Sequence, residues 1–196
     1  AILMSGHISV PLYPTLQAST LEYILDHCEA KLVIVGKLDD WENQKSGVAD
    51  KYTKFSFPMW HNSGTQTWEE FIGDTQPTTE SYIATPEETA TIIYTSGTTG
   101  KPKGVVHTHE SMSIQINYAL KVFNLTASDR FFSYLPLSHV AERILIELGS
   151  IFTGGTVSFA ESLDTFKDNL SETRPTLFLA VPRIWLKFQQ GILQKL

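Results

Sequence analysis

Apolar positions switch between two periods along the chain. Leu21, Ile24, Leu25 and Cys28 recur at helical spacing, and the continuous run Lys31 to Val35 follows before Gly36 stops it. This predicts a helix, with Ser19 and Glu22 as its capping box, leading into a buried strand. Weaker patterns predict a helix through Asp39 to Lys45, a strand at Phe55 to Phe57 and a brief helix at Thr67 to Ile72. From Gly73 to Glu87 the chain turns polar, with Pro77, Pro86 and several threonines, so residues 74–87 are expected to form a polar surface connection.

Beyond that connection, Thr91 to Thr95 and Val105 to His109 read as strands, and Met112, Ile116, Ala119, Leu120 and Phe123 mark one face of a helix. Phe131 to Leu135 reads as a strand. Ser138 is expected to cap a helix whose apolar stripe is Ala141, Ile144, Leu145, Leu148 and Phe152. A strand at Thr156 to Phe159, a helix at Asp164 to Leu170, a strand at Thr176 to Ala180 and a helix opened by Pro182 complete the series. Strands alternating with helices predict an α/β fold of mixed or parallel sheets flanked by helices.

Composition narrows the function classes. A chain of 196 residues with 42% apolar content is long enough to bury the core of one α/β unit. A net charge of −6, without a basic stripe interleaved with aromatics, argues against nucleic-acid binding. The single cysteine, Cys28, rules out an internal disulfide and a cysteine-based zinc site and fits a reducing compartment; its place on an apolar helix face suits packing. With no signal-peptide pattern and no apolar run of about 18 to 20 residues, the expectation is a soluble, cytoplasmic protein. Apolar Ala1-Ile2-Leu3-Met4 opens the chain and an amphipathic pattern runs from Phe188 to Leu196, so a piece of something larger is expected.

The densest chemistry lies in Tyr94-Thr95-Ser96-Gly97-Thr98-Thr99-Gly100-Lys101-Pro102-Lys103-Gly104. Gly97, Gly100 and Gly104 allow the backbone to approach a ligand, so that consecutive N–H groups can face phosphate oxygens. Ser96, Thr98 and Thr99 add hydroxyl donors, and Lys101 and Lys103 add charge. A Walker A loop does not fit: Thr95 stands where its first glycine belongs, and Pro102 follows Lys101 where a magnesium-binding hydroxyl belongs. The remaining bland reading is a glycine-rich hairpin turn, which rarely needs so many hydroxyls and cations together.

The same run resembles the phosphate-binding signature of the adenylate-forming ligases, the superfamily of acyl-CoA synthetases, luciferases and adenylation domains. Tyr134-Leu135-Pro136-Leu137-Ser138-His139-Val140-Ala141-Glu142-Arg143 and Val181-Pro182-Arg183-Ile184-Trp185-Leu186-Lys187-Phe188 resemble the long-chain fatty-acyl-CoA synthetases within it. Ser9-Val10-Pro11-Leu12-Tyr13-Pro14-Thr15, with Ala30 to Val35 after its helix, fits the family's early N-terminal region, so the likeness spans nearly all of residues 1–196.

The resemblance implies a partial N-terminal, AMP-binding domain of a long-chain fatty acid–CoA ligase. In such an enzyme ATP activates a fatty acid to an acyl-adenylate, releasing pyrophosphate, and coenzyme A then displaces AMP. It further implies Thr95, Ser96, Gly97, Thr98, Thr99, Gly100, Lys101 and Lys103 as nucleotide contacts, Lys101 being the weakest of them, with the Thr98 hydroxyl contacting Mg2+. His139 matches a histidine at the acyl side of the family's active site; by position alone it is a capping-region histidine. The expected partners are fatty acid, ATP and coenzyme A, with peripheral membrane association because long-chain fatty acids partition there. A ligase for another carboxylic acid, or a phosphate-binding module without catalysis, are the alternatives.

Other residues divide between readings. Glu142 and Arg143 match the long-chain enzymes, yet Arg143 and Glu147 at i,i+4 equally describe a solvated helix face. Trp185 follows a strand end, where ligands collect in α/β sheets, but its spacing with Phe188 and Ile192 reads more simply as core. His107 and His109 form an H-x-H pair without a nearby cysteine or carboxylate to complete a ligand set, so a structural role is expected. The family's aromatic-Gly-x-Thr-Glu motif, its ribose-binding aspartate and its small C-terminal domain with a catalytic lysine are absent from this chain, which is expected to complete neither half-reaction alone.

Overall fold

The computed structural model describes residues 1–96 and 100–193. By its internal contacts the chain divides into two compact units, one made of Ala1–Ile114 together with Pro136–Val140, the other of Gln115–Leu135 and the chain from Ala141 onward.

In the first unit, α1 (Ala18–His27) buries Leu21, Ile24 and Leu25 of the predicted stripe, while its fourth member, Cys28, is the half-buried C-cap. Its N-cap is the extended Gln17, and no side chain caps it; Ser19 sits inside the helix, so the expected Ser19–Glu22 capping box does not form. β1 (Leu32–Val35) and β2 (Thr53–Ser56) pair in parallel, Leu32 opposite Thr53 and Val35 opposite Ser56. Between them lie α2 (Trp41–Gln44) and a 3-10 turn at Lys45–Gly47. Leu25, Val35, Trp41, Val48 and Tyr52 form the core of this layer. Gln44 is buried there because it has work to do: its Nε2 donates to the carbonyls of Pro14 at 2.7 Å and Leu16 at 2.9 Å, pinning the N-terminal extended segment.

The short α3 (Trp68–Ile72) carries a true capping box, in which Thr67 Oγ1 accepts from the Glu70 N–H and the Glu70 carboxylate accepts from the Thr67 N–H at 2.8 Å. Phe71 of α3 stacks on the buried Phe55 with ring centroids 4.2 Å apart. Residues 73–83, most of the predicted polar connection, are exposed and carry no helix or strand. After them β3 (Thr89–Thr95) and β4 (Lys103–Thr108) form an antiparallel pair. Ser9 of the N-terminal stretch bridges Thr91 in parallel, and the fully buried Thr91 hydroxyl donates to the Ser9 carbonyl at 2.7 Å. α4 (His109–Phe123) follows directly; Met112 of the first unit is buried, as are Ile116 and Ala119, which belong to the second.

The second unit is built on β5 (Arg130–Ser133) and β6 (Thr156–Phe159), paired in parallel. The connection between them is α5 (Gly149–Thr153) preceded by a π-helical segment, Glu142–Leu148, where the sequence predicts an ordinary helix. Ser138 does not cap it: its hydroxyl is buried without a hydrogen-bond partner among the described residues. α6 (Phe166–Thr173) and α7 (Pro182–Leu193) complete the unit, α7 starting at the predicted proline. Thr176 to Ala180 is not a strand; Leu177 alone makes a bridge, to Phe131. Its neighbour Phe178 instead joins an aromatic cluster with Phe132, Tyr134, Phe166 and Phe188. The observed architecture is thus mixed α/β, with small parallel and antiparallel sheets and helices packed on them.

Candidate functional site

The hydroxyl- and cation-rich loop is the turn of the β3–β4 hairpin. Its last two rungs set the geometry: Tyr94 pairs with Gly104, and Thr95 with Lys103. Both ends of the loop are therefore held by a sheet while Thr95, Ser96, Lys101 and Lys103 remain exposed. Two glycines serve different ends. Gly100 has φ +92° and open space around it, so it is required by backbone conformation. At Gly104 space decides, since a Cβ would stand 2.8 Å from Ile92 Cγ2 and 3.3 Å from Tyr94 Cζ. Gly97, Thr98 and Thr99 lie outside the described residues, and with them the expected Mg2+ contact of Thr98.

Beneath the loop, Tyr94 is 5% exposed and its hydroxyl lies 2.7 Å from His27 Nδ1 on α1. Burial, followed by the neighbouring Cys28 and Tyr23, pushes the Tyr94 phenol up to about 12. His27 meets the Tyr94 ring edge-on and lies one turn from Tyr23, their rings 5.4 Å apart. Lys101 Nζ lies over the Tyr23 ring, 5.1 Å from the centroid. The described geometry thus brings Thr95, Ser96, Gly100 and Lys103 to one hairpin end and turns Lys101 toward α1. Exposed hydroxyl, backbone and ammonium donors on a sheet-anchored turn suit a polyanion.

His139 belongs to the Pro136–Val140 stretch of the first unit, the unit that also holds the loop. Its backbone N–H donates to the Pro136 carbonyl at 2.8 Å, so it sits in a turn, half-buried.

The solvated-face reading of Glu142 and Arg143 is overturned, because they are only 2% and 3% exposed. The Glu142 carboxylate accepts from the Ser133 hydroxyl at 2.5 Å and from backbone N–H groups of Leu135 and Tyr134. Burial outweighs these bonds and raises its pKa. Arg143 Nη1 lies 3.4 Å from Glu147 Oε2, an ion pair without hydrogen-bond geometry, and Arg143 Nε has no hydrogen-bond partner among the described residues. Burial lowers the Arg143 pKa, and the charge of Glu147 opposes that shift.

Trp185 is half-exposed yet tied to the cluster, meeting Phe178 and Phe188 edge-on and donating from Nε1 to the Ala180 carbonyl at 3.1 Å. Ile192, the third member of that predicted stripe, is 62% exposed. Among the described residues no group of three or more His, Cys, Asp and Glu side chains stands close enough to hold a metal; His107 lies within β4 and His109 begins α4. The contacts that sequence reasoning missed are those of Tyr23 and His27. Their i,i+4 spacing beside the buried stripe of α1 was the available signal.

Residues 1–195 match the family described as AMP-binding enzyme. The long-chain-fatty-acid–CoA ligase ACSBG2 of Xenopus laevis is 31% identical over 214 residues, which cover 96% of this chain and 28% of that protein. Long chain acyl-CoA synthetase 2 of Arabidopsis thaliana is 32% identical over 221 residues, covering 100% of this chain and 32% of that protein. The chain therefore spans about a third or less of these curated relatives. Among solved structures, ATP-bound MatB from Rhodopseudomonas palustris superposes with a TM-score of 0.77 at 21% identity, over 95% of this chain and 37% of that one. The anthranilate CoA ligase AuaEII in complex with anthranoyl-AMP gives 0.75 at 24% identity, over 89% of this chain and 35% of that one.

Proposed function

The chain belongs to the AMP-binding enzyme family, and from that premise we propose that it supplies the triphosphate-binding part of a ligase that activates a long-chain fatty acid with ATP and transfers it to coenzyme A. The observation that carries this reading is the Thr95–Lys103 rung, at whose end Thr95, Ser96, Gly100 and Lys103 are exposed. The choice of a long-chain acid is supported by the likeness to long-chain acyl-CoA synthetases at about 30% identity.

In the first step a carboxylate oxygen of the fatty acid attacks the α-phosphorus of ATP, and the bond to the bridging oxygen of pyrophosphate breaks. In the second, the coenzyme A sulfur attacks the acyl carbonyl, the bond to AMP breaks and the thiol proton is lost. Ser96, Gly97, Thr98, Thr99, Gly100 and Lys103 would hold the β- and γ-phosphates in line behind the reacting phosphorus and stabilise charge building on the leaving group. Mg2+ enters as the counter-ion of ATP, with the Thr98 hydroxyl as its proposed contact. His139 is proposed to shape the acyl side around the carboxylate.

The proposed location is the cytoplasm, with peripheral membrane association supplied by the partitioning of the fatty acid. No helix among the described residues is long and apolar enough to cross a membrane.

Calorimetric titration of the chain with ATP and magnesium tests the reading, alongside Lys103→Ala, with circular dichroism to establish that both are folded. Loss of a charge-assisted contact of about 1.5 to 3 kcal/mol predicts roughly ten- to hundredfold weaker binding in the variant. Equal affinity of the two proteins would sink the assignment of the loop.

A further inference from the structure

The two limbs of the loop lean on the same helix. On the entering limb, Tyr94 immediately precedes Thr95 and Ser96, and its buried hydroxyl lies 2.7 Å from His27 Nδ1. On the leaving limb, Lys101 Nζ lies over Tyr23 at 5.1 Å. Tyr23 and His27 are one turn apart on α1, with rings 5.4 Å from each other, so the two contacts form a continuous chain Lys101, Tyr23, His27, Tyr94. Neither α1 residue belongs to the loop, and all four lie within one compact unit.

We propose that Tyr23 and His27 are positioning residues that brace both limbs of the phosphate loop against α1, and that Lys101 is part of this brace rather than a triphosphate ligand. This rests on reading the loop as a triphosphate cradle. A glycine-rich turn left to itself samples many backbone states, and fixing it before the ligand arrives removes that ordering cost from binding. An ammonium centred over an aromatic face is attracted by the ring quadrupole and keeps three donors for water, so the brace needs no carboxylate partner. It also leaves Lys103, paired with Thr95 at the open end, as the cation for phosphate.

The test uses the whole chain with its lysines reductively dimethylated with 13C, which preserves their charge. A lysine over a tyrosine ring has its methyl signal shifted upfield by ring current. Lys101→Arg identifies that signal by deleting it. The expected result is an upfield-shifted Lys101 signal in the unmodified sequence and in Tyr23→Phe, collapsing to the position of exposed lysines in Tyr23→Leu. Titration of the unlabelled proteins with ATP and magnesium should give about two- to fivefold weaker binding for Tyr23→Leu, full rescue in Tyr23→Phe, and a similarly small loss in Lys101→Ala.

A Lys101 signal that is unshifted, or unmoved by Tyr23→Leu, overturns the brace. So does a loss in Lys101→Ala as large as that in Lys103→Ala. Absence of any ATP binding by a folded chain would instead remove the cradle reading, while the ring-current shift still decides whether Tyr23 holds Lys101.

Discussion

The Ser133 hydroxyl donates to the Glu142 carboxylate at 2.5 Å, joining the last residue of β5 to the first residue of the π-helical segment nine positions later. Glu142 also receives the N–H groups of Tyr134 and Leu135, so one buried carboxylate gathers the exit of the strand. That exit begins the Tyr134 to Arg143 run which resembles the long-chain synthetases. A π-helical register, with its wider turn, is a recurrent accompaniment of functional sites.

Because burial raises the Glu142 pKa, the folded state holds a proton there that the unfolded chain releases at the ordinary value. Stability from this group is fully present below the ordinary glutamate range and declines as pH rises through the higher folded value. Glu142→Gln should therefore flatten the fall in melting temperature as pH rises above the ordinary glutamate value of about 4.3. Thermal melts of the two proteins across that range check this; parallel curves would show that Glu142 does not titrate as its burial implies.

Tyr94 behaves likewise at the alkaline end. Its phenol, pushed to about 12, contributes stability that is present below the ordinary tyrosine value near 10 and is lost as pH rises toward 12. Tyr94→Phe should remove the latest step from the absorbance titration of tyrosinate and cost about 0.5 to 1 kcal/mol at neutral pH through the lost contact with His27. An unchanged titration would place the late-ionising phenol elsewhere.

Gly47 closes the 3-10 turn under the start of α1, and a Cβ there would stand 2.1 Å from the Ala18 carbonyl oxygen. Backbone must move to admit it, so Gly47→Ala is expected to destabilise the first unit by about 3 kcal/mol or more, at the severe end of overpacking. Denaturant unfolding measures this, and a loss under 1 kcal/mol would mean that α1 shifts freely.

Phe166 is 7% exposed and meets Phe132, Tyr134, Phe178 and Phe188. Phe166→Ala should cost about 3 to 5 kcal/mol, since the ring is central to the cluster and its neighbours come from separate elements that cannot all collapse inward. Near-ultraviolet circular dichroism and denaturant midpoint together report it; Phe166→Leu should recover part of the loss.

Elements whose burial is local were legible in the sequence. The four residues of β6 are those predicted, α7 begins at Pro182, and three of the four residues of the α1 stripe are buried. Misreadings arose where a distant partner decides. Thr176 to Ala180 has strand composition, but Phe178 turns to the aromatic cluster and only Leu177 finds β5. Ser19 has a capping sequence, yet the extended backbone falls at Gln17, which fixes the helix start two residues earlier. Arg143 and Glu147 have the spacing of a surface pair, and nothing in that spacing reveals that the face is covered.

The hairpin that frames the loop was legible, because the hydroxyls, glycines and lysines are concentrated between two β-rich runs. Its support on α1 was not, since Tyr23 and His27 stand far from Tyr94 in sequence and their spacing alone names no partner.

The first unit gathers Ala1–Ile114 and Pro136–Val140 while Gln115–Leu135 belongs to the other. During synthesis, its earlier and larger part emerges from the ribosome lacking a segment translated only after β5. Full native contacts in that unit must wait for the later stretch and for the entropic cost of closing the intervening chain. No single cleavage of the backbone can release either unit whole.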